Sequence, residues 1–106
     1  MARTLIDVPK TAAKGDVIAI RTLIAHPMET GYRTGDGGTA LPRDLIRRIT
    51  CRYDGQEIFA AELFPAVAAN PLLRFFTVAT ASGTLTFTWE GDNGFVQTET
   101  AAILVT

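Results

Sequence analysis

The chain has 106 residues, 47% of them hydrophobic, and its ten basic and eleven acidic residues leave a net charge of -1. That length makes residues 1–106 one domain with one core, large enough to bury roughly two thirds of its unfolded surface without disulfides or structural metal. Balanced, dispersed charge excludes the field that would draw nucleic acid or an anionic membrane, and no apolar run is long enough to span a bilayer.

The opening segment MARTLIDVPKTAAKGD has no apolar stretch behind its first charges, so no secretory signal of ordinary form is expected. With a single cysteine, that would by itself read as cytosolic. A short strand is expected near Thr4 to Val8. The next, Asp16 to Ala25, alternates cleanly: Ile18, Ile20, Thr22 and Ile24 fall on one side, Val17, Ala19, Arg21 and Leu23 on the other.

That strand breaks off into the octapeptide HPMETGYR, His26 to Arg33, which holds the only histidine beside a thioether, a carboxylate and a guanidinium. Turns need backbone permissiveness, not these side chains. A histidine at a strand end is ordinarily a hydrogen-bonding loop residue, yet Met28 and Glu29 beside it make a plausible recognition surface. The TGDGGT segment that follows has no Lys-Ser/Thr and no helix behind it, and it carries Asp36, so it reads as a flexible loop and not a phosphate cradle.

From Leu45 to Tyr53, Leu45, Ile49, Cys51 and Tyr53 oppose a solvent-like set of Arg48, Thr50 and Arg52. Asp54-Gly55 reads as a two-residue hairpin turn, both positions at positive φ, leading into Glu57 to Leu63. FPAVAAN, residues 64 to 70, is too short for a stable helix and is closed by Pro71, so a single turn crossing between sheets is expected. Leu72 to Thr80, then Thr84 to Trp89 with Leu85, Phe87 and Trp89 on one face, then Phe95 to Val105 complete about seven strands. This is the pattern of an all-β, immunoglobulin-like antiparallel sandwich, with an antiparallel barrel as the competing architecture. Counted with glycine, apolar content is slightly above the usual half, which points to an apolar interface.

No catalytic constellation emerges. Cys51 shares the strand phase of Ile49 and Tyr53, where apolar surroundings raise a thiol's pKa, so a buried, inert thiol is expected. A thiol enzyme or redox protein using Cys51 and His26 is the alternative. One histidine is too few for a blue-copper site or a His/Cys zinc site, and no calcium-loop spacing occurs, so no metal or cofactor is expected. Of the arginines, only Arg48 and Arg52 share a strand face, which is a solvated surface and not a basic strip.

HPMETG followed by Arg33, Leu41-Pro42-Arg43 leading to Ile46 and Cys51, Tyr53-Asp54-Gly55 and Ile58-Phe59 together resemble the Z subunit of the sulfur-oxidising (Sox) thiosulfate carrier complex, the SoxZ family. AANPLLRFFTVAT, residues 68 to 80, then Ser82-Gly83-Thr84-Leu85 and Thr88-Trp89, extend the resemblance over nearly the whole chain. The combination is specific where no single piece is. The segment Thr34 to Thr39 and Ala81, where an acidic residue is usual, depart from the family's pattern.

The resemblance implies a non-catalytic scaffold that pairs with the Y subunit, whose C-terminal cysteine holds sulfur intermediates during thiosulfate oxidation. It also implies transient contacts with a c-type cytochrome, a sulfate-releasing hydrolase and a sulfane dehydrogenase. A periplasmic location, reached by export together with the signal-bearing Y subunit, is implied as well. The expected contact residues are His26, Pro27, Met28, Glu29, Thr30, Gly31 and Arg33 of the loop, with Asn70 and Pro71. A stand-alone binding module remains a further alternative, distinguished by staying a monomer with no need of a partner.

Overall fold

The structure, a computed structural model, describes residues 2–106. Its strands are β1 (Thr4–Asp7), β2 (Thr11–Ala12), β3 (Val17–Ile24), β4 (Ile46–Tyr53), β5 (Gln56–Glu62), β6 (Leu72–Val78), β7 (Gly83–Gly91) and β8 (Val96–Val105). They form a three-stranded sheet in the order β1-β3-β6 and a five-stranded sheet in the order β2-β8-β7-β4-β5. The architecture is the expected immunoglobulin-like sandwich. Neighbours run antiparallel except β2, which pairs parallel with β8 at Thr11–Leu104 and Ala12–Val105. Two residues are too few to show a period, and β2 was not expected from the sequence.

Alternation built the core as its spacing demands. Ile18, Ile20, Thr22 and Ile24 of β3 are buried against Leu85, Phe87 and Trp89 of β7, Ile49 and Cys51 of β4, and Ile103 of β8 within one cluster of largely apolar side chains. Burying each large side chain of this kind stabilises the fold by about 1.5–3 kcal/mol relative to exposure. Phe59 of β5 stacks on Phe75 of β6, ring centroids 4.0 Å apart and ring planes nearly parallel, so one aromatic pair bridges the two sheets.

β4 departs from strict alternation. Its register against β7 shifts between Ile46 and Arg48, so Arg47 is an extra residue, and Ile46 joins Leu45 and Ile49 inside although their spacing is irregular. A second correction concerns Thr50, expected on the solvent face but only 5% exposed. β4 is flanked on both sides, and Thr50 sits in register between Ala60 of β5 and Thr88 of β7. A small residue in the middle of a sheet is covered by its neighbours, which periodicity does not report.

The connections follow turn chemistry. Asp54 (φ 49°) and Gly55 (φ 84°) make the tight β4–β5 turn, and the Asp54 carboxylate accepts the Thr84 N–H at 2.8 Å. Residues 64–70 cross from one sheet to the other through a single turn closed by Val67 N–H to the Phe64 carbonyl, 2.9 Å. The Tyr53 hydroxyl donates to the Ala81 carbonyl, and the buried Gln97 amide clasps Ala2, donating to its carbonyl (2.8 Å) and accepting its N–H (2.9 Å).

Candidate functional site at the loop end of the sandwich

After β3 the chain leaves the sheet through Ala25, and His26 is at once tied to the segment that opens β6. The Asn70 Oδ1 accepts the His26 N–H at 2.9 Å, and the Asn70 N–H donates to the His26 carbonyl at 2.7 Å. Asn70 holds φ at 54°, a conformation its short polar side chain tolerates. The two segments expected from the sequence to share a surface are therefore joined directly.

His26 is buried. Its Nδ1 accepts the Met28 N–H at 3.0 Å, which leaves the ring proton on Nε2, 3.7 Å from Asp44 Oδ1, and the ring meets Phe95 edge-on with centroids 5.4 Å apart. Met28 takes φ 51°, costly for a long side chain by about 1 kcal/mol. The cost is offset inside: the side chain is buried, and its Sδ accepts the Ile46 N–H at 3.3 Å. Pro71 is buried too, whereas Pro27, Arg33 and Asn70 are exposed. The histidine and methionine thus shape the loop from beneath instead of presenting their side chains.

The outer half of the loop is held by charge. Arg33 donates from Nε (3.0 Å) and Nη2 (2.7 Å) to the Glu29 carboxylate, and this guanidinium holds the Glu29 carboxyl below its ordinary range. Glu29 and Asp44 exchange both backbone hydrogen bonds at 2.8 Å. Thr30 Oγ1 accepts the Tyr32 N–H at 3.1 Å, and Gly31, at φ 87°, passes so close to Arg43 that a Cβ there would lie 3.1 Å from the arginine's own. Tyr32, not singled out in the sequence, stands 87% exposed at the tip. The Gly-rich segment beyond it closes on itself through the Thr34–Ala40 bridge and a single 3-10 turn, Asp36–Gly38.

Asp92 fastens the other side of this end. It accepts two hydrogen bonds from Arg43, both 2.9 Å, and the Leu45 N–H at 3.1 Å, and Arg43 foremost holds its carboxyl below the usual range. A groove of about 440 Å³ runs alongside between Arg47, Arg48, Glu62, Phe64 and Glu90. Arg43 also borders it, and Arg48 lies 3.9 Å from Glu62 across it.

Cys51 lies elsewhere, fully buried in mid-strand between Phe59 of β5 and Phe87 of β7. Burial pushes its thiol up to about 12, so it is neutral at physiological pH. Ile46 marks the loop end of β4, and Cys51 is five residues further along it, about 16 Å at ordinary strand rise. The thiol and His26 do not form a pair. Among the described residues, no group of three or more His, Cys, Asp or Glu side chains converges as a metal site.

These features define a class: an immunoglobulin-like sandwich with an internally fastened loop end and its only thiol inside the core. Residues 6–102 match the family model described as sulphur oxidation protein SoxZ. The chain belongs to the SoxZ family, a component of Sox sulfur oxidation. Among curated protein sequences none matches it significantly. Among solved structures it is similar to superoxide reductase (neelaredoxin) from Ignicoccus hospitalis, with a TM-score of 0.77 and 17% identity over 99% of this chain and 82% of that one. It is similar also to the sulfur carrier protein SoxY from Chlorobium limicola f thiosulfatophilum, with a TM-score of 0.67 and 12% identity over 97% and 78%. At such identities the likeness establishes the sandwich fold alone.

Proposed function

We propose that this chain is the non-catalytic scaffold of a sulfur carrier complex, pairing with the Y subunit, whose C-terminal cysteine holds the sulfur intermediates of thiosulfate oxidation. The family match supports the assignment. The single observation that supports the non-catalytic role is Cys51: a buried thiol raised to about 12 offers neither a thiolate nor access, which fits sulfur being carried on another chain. The loop from His26 to Arg33, with Asn70, contributes to the surface that meets the Y subunit or the visiting cytochrome, hydrolase and dehydrogenase. The pair works in the periplasm and reaches it as one unit, which calls for a stable interface of the obligate kind.

Co-expression with a Sox Y subunit tests the reading. The expected product is a one-to-one complex that, after thiosulfate loading, carries its adduct only on the partner's terminal cysteine by intact mass. A chain that purifies alone in the presence of that partner, or an adduct on Cys51, overturns it.

A further inference from the structure

β3 and β6 are apolar in both phases. Their inward residues build the core. Their outward residues, Val17, Ala19 and Leu23 of β3, lie in register with Val78, Phe76 and Leu72 of β6, and Leu5 of β1 stands opposite Leu23. Val17 is 70% exposed, Phe76 59% and Leu72 58%. Strands that are apolar on both sides are ordinarily covered on both sides, and here the core covers only one. At ordinary strand spacing and rise the patch measures roughly 15 Å across by 25 Å along, the size of the largest apolar patch on an ordinary monomer, which is often functional.

One charged row, Asp7, Arg21 and Arg74, crosses this patch in register. Asp7 is engaged by Arg21 at 3.0 Å. Arg74 has no carboxylate partner among the described residues and lies over the Phe76 ring, 5.2 Å from its centroid. The row therefore carries one unanswered positive charge in an apolar setting. A second copy would bring the same row, with its Asp7 already taken, and would leave both Arg74 guanidiniums unanswered.

We infer that the outer face of the β1-β3-β6 sheet is the docking surface for the partner subunit, which presents an apolar surface with a carboxylate set over Arg74. The inference rests on the pairing proposed above. A stable interface buries about 800 Å² on each partner, more than the sheet face supplies, so the contact runs past it. At its Leu5–Leu23–Leu72 end the patch continues into exposed Ala25, Pro27, Ala69 and Asn70. The partner's footprint thus extends from the sheet onto the loop end.

Co-expression of the Y subunit with the wild-type chain, with Phe76→Glu, with Arg74→Glu and with Thr86→Glu on the opposite outer face reads the surface directly, once circular dichroism and urea unfolding show each variant folded. Phe76→Glu is expected to weaken pairing by about thirtyfold or more, as for a central aromatic anchor. Arg74→Glu sets a second carboxylate against the partner's and is expected to weaken pairing by about tenfold or more, mainly through faster dissociation, with part of the loss recovered at high salt, and Thr86→Glu pairs like the wild type. Equal pairing by wild type and Phe76→Glu, or weakening only by Thr86→Glu, overturns the face while the pairing stands. A wild-type chain that does not bind the Y subunit overturns the pairing itself, and a homodimer broken by Phe76→Glu assigns the face to a second copy.

Discussion

The outer faces of the two sheets obey the same period of two and differ in chemistry over their central strands, exposed Val96 and Leu104 lying towards the two ends of β8. On the five-stranded sheet, Thr86 and Thr88 of β7 stand in register with Thr100 and Thr98 of β8, the latter pair with hydroxyl oxygens 3.4 Å apart, and Arg48 lies within ion-pair reach of Glu57 and Glu62. β-Branched hydroxyl residues and opposed charges are what a solvated sheet face presents. On the three-stranded sheet the corresponding positions are Val17, Leu23, Leu72 and Phe76. Alternation between apolar and polar residues marks a strand with one covered face; apolar residues in both phases mark a strand with a second cover to find.

Four measurements put that contrast to the test. The contrast requires the reactive group to belong to neither face, and native alkylation of Cys51 at pH 8 should be slower than that of a free thiol on the order of a thousandfold or more, given a thiol pushed up to about 12. Denaturant should restore the ordinary rate, and prompt native labelling would place the sulfur within reach of one face. Next in size, Phe87→Ala, between the sheets, should lower unfolding free energy by about 3–5 kcal/mol in urea titrations. A core loss no larger than that of an outward substitution would erase the distinction between inside and outside.

Asp92→Ala should cost about 1–2 kcal/mol by leaving the buried Leu45 N–H without its acceptor. Because Arg43 depresses the folded-state carboxyl, the ion-pair part of this contribution is complete above about pH 4 and is lost as pH falls through the lower folded value. Stability measured from pH 7 downward should therefore show wild type and Asp92→Asn converging in acid. The smallest effect belongs to the outer face itself: Leu72→Gln or Val17→Thr should change the stability of the isolated chain by less than about 0.5 kcal/mol while raising its solubility. A larger loss would mean that the apolar face is already packed within the chain.

Most of the sandwich was legible because β3 and β7 keep a strict period over their length, and the Asp54-Gly55 turn announces itself through backbone requirements. Ile46 and Thr50 were not legible: one depends on the extra residue at Arg47, the other on being flanked by two strands, and neither is written in local spacing. The loop residues His26 to Arg33 and Asn70-Pro71 could be singled out for their side chains. That His26 and Met28 would be turned inward could not, since this depends on a left-handed backbone at Met28 and on long-range partners in Ile46 and Asn70. The apolar outer face had a signal that periodicity overlooks: in VIAIRTLI and LLRFFTV the second phase is as apolar as the first.

The Met28 sulfur, buried and acceptor of the Ile46 N–H, is shielded while the loop end is closed, so an oxidant reaches the seat of the loop only when that end opens. Conversion to the sulfoxide would make the sulfur a stereocentre and put a polar oxygen into a buried position shaped for a soft atom. The β4 hydrogen bonds beyond it belong to the central ladder and would stay closed. Oxidative damage would then appear first as faster amide exchange at Ile46 with Ile49 still protected, so that a chain with a loosened loop end would still count as folded by any global probe.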